Sequence, residues 1–183
     1  MKLPEHLGGH MNVNHVDEGA LKTIHEKFSI YSLLDVGCGL GEMKFLCDEK
    51  NITYQGIDGD YTAKRKHDNV IIHDYTKGKS EISKQCGNPY DLGWSTEFLE
   101  HVDAKYVDNY MIDFVKCKYV LVTHAPPGKR GHHHVNCQTN EYWIKTFMKY
   151  NFAFDKEMTK LIRKNSSMER NFIRDNGLFF VNK

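Results

Sequence analysis

Cysteine is scarce in this chain and unpaired: Cys38, Cys47, Cys86, Cys117 and Cys137 are odd in number and never spaced CxxC. That argues against a disulfide framework or an all-cysteine zinc site, and it fits a reducing, cytoplasmic setting. No apolar stretch approaches the roughly 20 residues of a membrane span. The opening residues, MKLPEHLGGHMNVNH, lack the apolar core of a signal peptide. Low-complexity tracts, linkers and internal repeats are also missing. What is present is 183 residues and 21.3 kDa, enough for one domain. A domain of that size buries roughly 70% of its unfolded surface and needs no structural metal. With 40% hydrophobic, 27% charged and 12% aromatic residues, it reads as a soluble globular protein.

Charge is balanced overall but not along the chain. Residues 1–100 carry 11 Lys and Arg against 16 Asp and Glu, and residues 101–183 carry 14 against 8. A basic second half offers an anionic partner a surface, but scattered solvated charge is the commoner reason for such an imbalance. Histidine is the compositional oddity, at 11 residues.

Short apolar runs alternate with helical patterns. Tyr31–Val36 predicts a strand that runs into the glycine turn GCGLG and then a helix over 42–49. Further strands are predicted at Thr53–Ile57, Val70–Ile72, Tyr90–Trp94, Tyr119–Thr123, Phe152–Lys156 and Leu178–Val181, with helices over 103–116 and 141–150. The stretch Lys156–Arg174 holds six Lys and Arg against Glu157 and Glu169 and reads as a solvated helix-and-turn excursion. Strands alternating with helices predict an α/β fold: a doubly wound, seven-stranded, mostly parallel sheet with helices on both faces, in a single domain. Residues 29–183 form its core, and residues 1–28 are expected to cover the ligand cleft. In open sheets of this kind ligands bind beyond the carboxyl ends of the strands, which confines the search for chemistry to the turns.

The central motif is Asp35-Val-Gly37-Cys38-Gly39-Leu-Gly41. Glycines there let the backbone turn tightly and approach a ligand. A dinucleotide fingerprint would place its third glycine at position 42, which is Glu42, and a Walker loop would end in GK[ST]. An acid followed by GxGxG instead resembles motif I of the class I S-adenosylmethionine-dependent methyltransferases. Three further features stand in order. Asp58 lies 21 residues after Gly37, Asp74 sits in Val70-Ile-Ile-His-Asp74-Tyr75, and Trp94-Ser-Thr-Glu97-Phe-Leu-Glu100-His101 is similar to the fourth-strand region of the type 11 methyltransferases. The resemblance covers about residues 30–125.

It implies a Rossmann-like fold and S-adenosylmethionine as cofactor, with S-adenosylhomocysteine as product. Backbone amides near Gly37–Gly39 would meet the cofactor carboxylate, and Asp35 would complement its ammonium and sulfonium charge. Asp58 would bind the ribose hydroxyls and Asp74 the adenine. Cys38, Gly41, Gly59, Tyr75 and Trp94 complete the expected cofactor contacts. Glu100-His101 reads as a structural pair, serving capping and packing.

Methyl transfer from a sulfonium asks the protein for orientation, exclusion of water and, where the nucleophile is a hydroxyl, a base. The loop after the fifth strand, from His124 through Pro126-Pro127-Gly128-Lys129-Arg130-Gly131 to His132-His133-His134, is rich in neutral imidazole. His124 ends the strand directly and is the first candidate base, followed by His132, His133 and His134. Lys129 and Arg130 offer a clamp for a carboxylate or phosphate, or are simply solvated. A metal held by His10 or His15 with two of the triple-histidine run is an alternative without a fixed ligand spacing, so no metal ligands are assigned. The [DNS]PP[YFW] motif of DNA amino-methyltransferases is absent from the fourth strand, and no Lys-Asp-Lys-Glu tetrad can be placed. A small-molecule or sugar-like acceptor is therefore favoured over nucleic acid. RNA methylation and a non-catalytic cofactor-binding role are the two alternatives, and no membrane partner is expected.

Overall fold

The computed structural model describes residues 3–9, 13 and 15–183. Its first helix, α1 (Glu18–Phe28), begins at Asp17, whose side chain accepts a hydrogen bond from the Ala20 amide at 2.9 Å. Ala20, Leu21 and Ile24 recur at helical spacing and are fully buried. Residues 1–28, expected as one cover, therefore divide. Residues from Asp17 onward build the core, and only the part before them reaches the cleft described below.

Seven strands follow: β1 (Ser32–Val36), β2 (Thr53–Asp58), β3 (Val70–Ile72), β4 (Tyr90–Ser95), β5 (Cys117–Val122), β6 (Phe152–Phe154) and β7 (Leu178–Asn182). They form one sheet in the order β3-β2-β1-β4-β5-β7-β6. All pairs among the first five are parallel, and β7 runs antiparallel to both β5 and β6. Each strand predicted from the sequence is present. The sixth is shorter than expected because Asp155 turns the chain: its carboxylate accepts from the Met158 amide at 2.8 Å and opens α5 (Lys156–Asn165). The helix predicted over 103–116 is split, with a 3₁₀ turn at Ala104–Tyr106 ahead of α3 (Val107–Phe114).

The period-2 alternation of the strands sorts two cores. Leu34, Val36, Val120, Val122 and Phe180 pack on one face against α3 and α4 (Asn140–Lys149), where Tyr110, Phe114, Trp143 and Phe147 are buried. Leu33, Leu92, Trp94, Leu121 and Phe179 point to the other face, against α1, α2 (Met43–Glu49), α5 and α6 (Phe172–Asn176). Covering both faces leaves the ends of the strands as the place for chemistry. Strand order reverses between β1 and β4, which opens a crevice at their carboxyl ends.

Candidate active site

A cleft of about 540 Å³ lies at this switch point, lined from β1 by Asp35, Gly37 and Gly39, from β2 by Asp58 and from β3 by Asp74. Gly37, Gly39 and Gly41 take φ of 75°, 55° and 77°, which other residues rarely adopt. A side chain at Gly37 would also meet the Phe98 ring at 2.4 Å. The turn's own amides are committed internally. Gly37 and Cys38 both donate to the Ile57 carbonyl, at 2.8 and 3.1 Å, and Gly39 donates to Asp58 at 2.8 Å. The expectation that these amides meet the cofactor carboxylate is corrected accordingly: they hold the turn in shape.

Three acids expected to hold the cofactor come together in this cleft. Asp35 is 3% exposed, and its carboxylate accepts from the Tyr54 hydroxyl at 3.0 Å. Burial pushes Asp35 up to about 7, with the Tyr54 hydrogen bond opposing and the nearby Asp58 charge adding to it. Asp58 receives hydrogen bonds from the Gly39 and Asp60 amides and from the guanidinium of Arg65. Asp74 accepts from the Thr76 amide and hydroxyl, capping the turn at Tyr75–Lys77, while its other oxygen lies 3.0 Å from His6 Nε2. Burial alone would raise Asp74, but the hydrogen bonds from Thr76 and His6 hold it below the usual carboxylate value. Cys38, Gly59 and Tyr75 also line the cleft; Leu7 packs where a side chain at Gly59 would stand, and the Tyr75 hydroxyl donates to Asp113 at 2.6 Å. Tyr54 and Arg65 were not singled out in the sequence, since nothing local marks them, whereas His6 belongs to the His-rich opening segment expected to face the cleft.

Four expected site residues stand apart from the cleft lining. Gly41 closes the turn, its carbonyl held by His67 Nε2 at 2.9 Å. Trp94 is wholly buried in the core between the sheet and α1, because the alternation of β4 turns it away from the ligand. His124 is 1% exposed, bonded to Asn140 at 2.7 Å and packed near Trp143, so it is a core histidine and not a base in the cleft. Burial favours its neutral form. His133 turns the loop at a φ of 47° and lies beside His6.

The other two histidines of the run do line the cleft. His132 Nε2 is 2.8 Å from the Glu5 carbonyl, and His134 Nδ1 is 3.0 Å from the Lys129 carbonyl. A carbonyl accepts only from a protonated Nδ1, and in that tautomer of His134 Nε2 carries the lone pair. Its ring packs edge-on to His101, 5.0 Å between centroids. One ligand atom from each of Glu100, His101 and His134 lies within 4.8 Å of the others. Glu100 is fully buried, and among the described residues its carboxylate finds only the neighbouring carboxyl of Glu97, while His101 Nδ1 is buried without a partner among them. Glu97 lines the cleft beside them; burial raises it, and burial and the Glu97 charge together raise Glu100. Burial and the neighbouring imidazoles push His101 down to about 4, so it too is neutral.

A carboxylate and two imidazoles this close together are of the ligand types that divalent cations take. Only the capping part of the structural reading of Glu100-His101 fails: the 3₁₀ turn Leu99–His101 has no side-chain cap, whereas the Glu100 carbonyl accepts from the Val135 and Asn136 amides and ties the loop down. Of the earlier metal alternative, His10 lies outside the described residues, and His15 packs against Phe172 away from this group.

The sheet order, the antiparallel seventh strand and an acid at or near the end of each of the first three strands match the fold that the resemblance to class I S-adenosylmethionine-dependent methyltransferases implies. Solved structures agree. The methyltransferase domain of bacterial CtHen1 is 15% identical, with 90% of this chain and 96% of that one covered at a TM-score of 0.60. A SAM-dependent methyltransferase from Archaeoglobus fulgidus is 17% identical over 88% and 92% of the two chains, TM-score 0.57. Magnesium protoporphyrin IX methyltransferase from Synechocystis PCC 6803, crystallised with SAM bound, is 11% identical over 90% and 76%, TM-score 0.56. No protein-family model and no curated protein matches the sequence. Among the described residues no helix is long and apolar enough to cross a membrane.

Proposed function

We propose that this chain is an S-adenosylmethionine-dependent methyltransferase that methylates a hydroxyl of a small-molecule or sugar-like acceptor. The observation that carries the reading is a juxtaposition. The glycine turn with Asp35, Asp58 and Asp74 shares one cleft with Glu97, His101 and His134, beside the buried Glu100. Asp58 accepts from the cofactor's ribose hydroxyls, Asp35 faces its cationic groups, and Asp74 and Tyr75 meet the adenine. Residues 3–9 act as a strap that keeps water out, tied down through His6 to Asp74 and through the Glu5 carbonyl to His132.

Glu100, His101 and His134 fit a divalent cation, which if bound would lower the pKa of an acceptor hydroxyl. Transfer is an in-line displacement. The acceptor oxygen's electron pair forms the C–O bond, the C–S bond breaks with its pair returning to sulfur, and the hydroxyl proton passes to Glu97. Burial lifts that carboxyl toward the range in which a base works at neutral pH.

Calorimetric titration with S-adenosylhomocysteine, on wild type and Asp58→Ala, tests the core of this reading. Micromolar binding that the substitution weakens by roughly 1–3 kcal/mol supports it, and no binding to the folded protein overturns it. A second reading, a nucleic-acid acceptor, draws on Lys129, Arg130 and Arg170 in the cleft lining. RNA binding with a log–log salt slope of about −0.7 per contacted phosphate would favour it.

A further inference from the structure

We propose that Arg65 is a positioning residue that sets the cofactor's ribose preference without touching the cofactor. The inference rests on the methyltransferase reading above. Arg65 sits in the loop between β2 and β3, in the sequence Ala63-Lys64-Arg65-Lys66-His67, where three adjacent cations read as a solvated run. The fold separates them. Lys64 and Lys66 are exposed, whereas the Arg65 side chain is 8% exposed and absent from the cleft lining.

The guanidinium serves three acceptors at once. Nε donates to the Gly39 carbonyl at 2.9 Å, Nη1 to the Asp60 carbonyl at 2.8 Å, and Nη2 to Asp58 Oδ1 at 3.1 Å. Asp58 Oδ2 in turn accepts from the Gly39 amide at 2.8 Å. Both polar groups of Gly39, a residue at a φ of 55°, are therefore bonded to the two members of one ion pair. This closed ring locks the glycine turn in register with the acid that receives the ribose. It also fixes the orientation of the Asp58 carboxylate toward the ribose. A planar fork meets three acceptors in this way and an ammonium does not.

The test is calorimetry with two probes, S-adenosylhomocysteine and its 2′,3′-dideoxyribose analogue, on wild type, Arg65→Met and Arg65→Lys. Wild type should prefer the hydroxylated probe. Arg65→Met should lose about tenfold or more for that probe, the size of a lost charge-assisted hydrogen bond. Its affinity for the dideoxy probe should stay within about twofold, so that the preference collapses. Arg65→Lys, which keeps the charge and the bulk, should show the same narrowing in part, and it carries the test if Arg65→Met does not fold. An unchanged preference in the folded variants overturns the proposal. So does an equal loss for both probes, which marks a purely structural residue. If wild type binds neither probe, the methyltransferase reading itself has failed, a result distinct from either.

Discussion

Asp35 makes cofactor affinity depend on pH near neutrality, where an ordinary carboxylate, ionised down to about pH 4, would leave it constant. In the free protein, burial holds its carboxyl at about 7, against the opposing hydrogen bond from the Tyr54 hydroxyl. A cofactor bringing a fixed ammonium, and a sulfonium in the methyl donor, favours the ionised form and pulls the value back down. Binding must then expel the proton wherever it is bound. At pH 6 about nine-tenths of the free protein is protonated at Asp35, and at pH 8 about a tenth, so affinity should fall about tenfold between pH 8 and pH 6, or ~1.4 kcal/mol.

The assay is calorimetry at pH 6, 7 and 8 in buffers of differing ionisation enthalpy, which counts the released proton directly. Asp35→Asn should bind more weakly at pH 8 and lose this pH dependence; the histidines and Glu97 in the same cleft are common to both proteins and cancel in the comparison. The free protein's stability follows the same linkage. Because the folded value lies above the unfolded one, the contribution is full below about pH 4 and is lost as pH rises toward 7. Equal affinity at pH 6 and 8 in wild type, with no proton released at pH 6, would refute the reasoning.

Three further outcomes are expected. Cobalt(II) should bind wild type with visible absorption bands of a mixed imidazole–carboxylate site, and Glu100→Gln or His101→Ala should weaken it at least tenfold; wild type that takes up no metal would remove the cation from the mechanism. Gly131→Ala places a Cβ 2.2 Å from His134 Nε2 and forces that ring to move. It should cost about tenfold or more in cobalt affinity, while urea unfolding shifts by no more than about 0.5 kcal/mol in this exposed loop. His124→Ala should leave cofactor binding unchanged but lower stability by about 1–3 kcal/mol, through the buried hydrogen bond to Asn140; a loss of binding without a loss of stability would return His124 to the site.

The sequence by itself determined the sheet, because burial on two faces imposes local patterns: apolar runs at the strands, a glycine turn after the first, and acids at its second and third strand ends. The motif Asp35–Gly41 and the spacing to Asp58 and Asp74 were legible for the same reason, since each follows a strand. Helix α1 carries a local signal in Asp17 followed by Ala20, Leu21 and Ile24, which the expectation of a cover over residues 1–28 left out. Only the tertiary structure decided which of several identical residues does what. His124 and His134 are both histidines after β5, yet strand alternation buries the first and the loop's return past Gly131 brings the second to Glu100 and His101. Arg65 stands between two lysines and alone is drawn inward, by acceptors on Gly39, Asp58 and Asp60. Those choices depend on partners distant in sequence, whose positions are set by how the loops pack over the strand ends, and no local pattern encodes them.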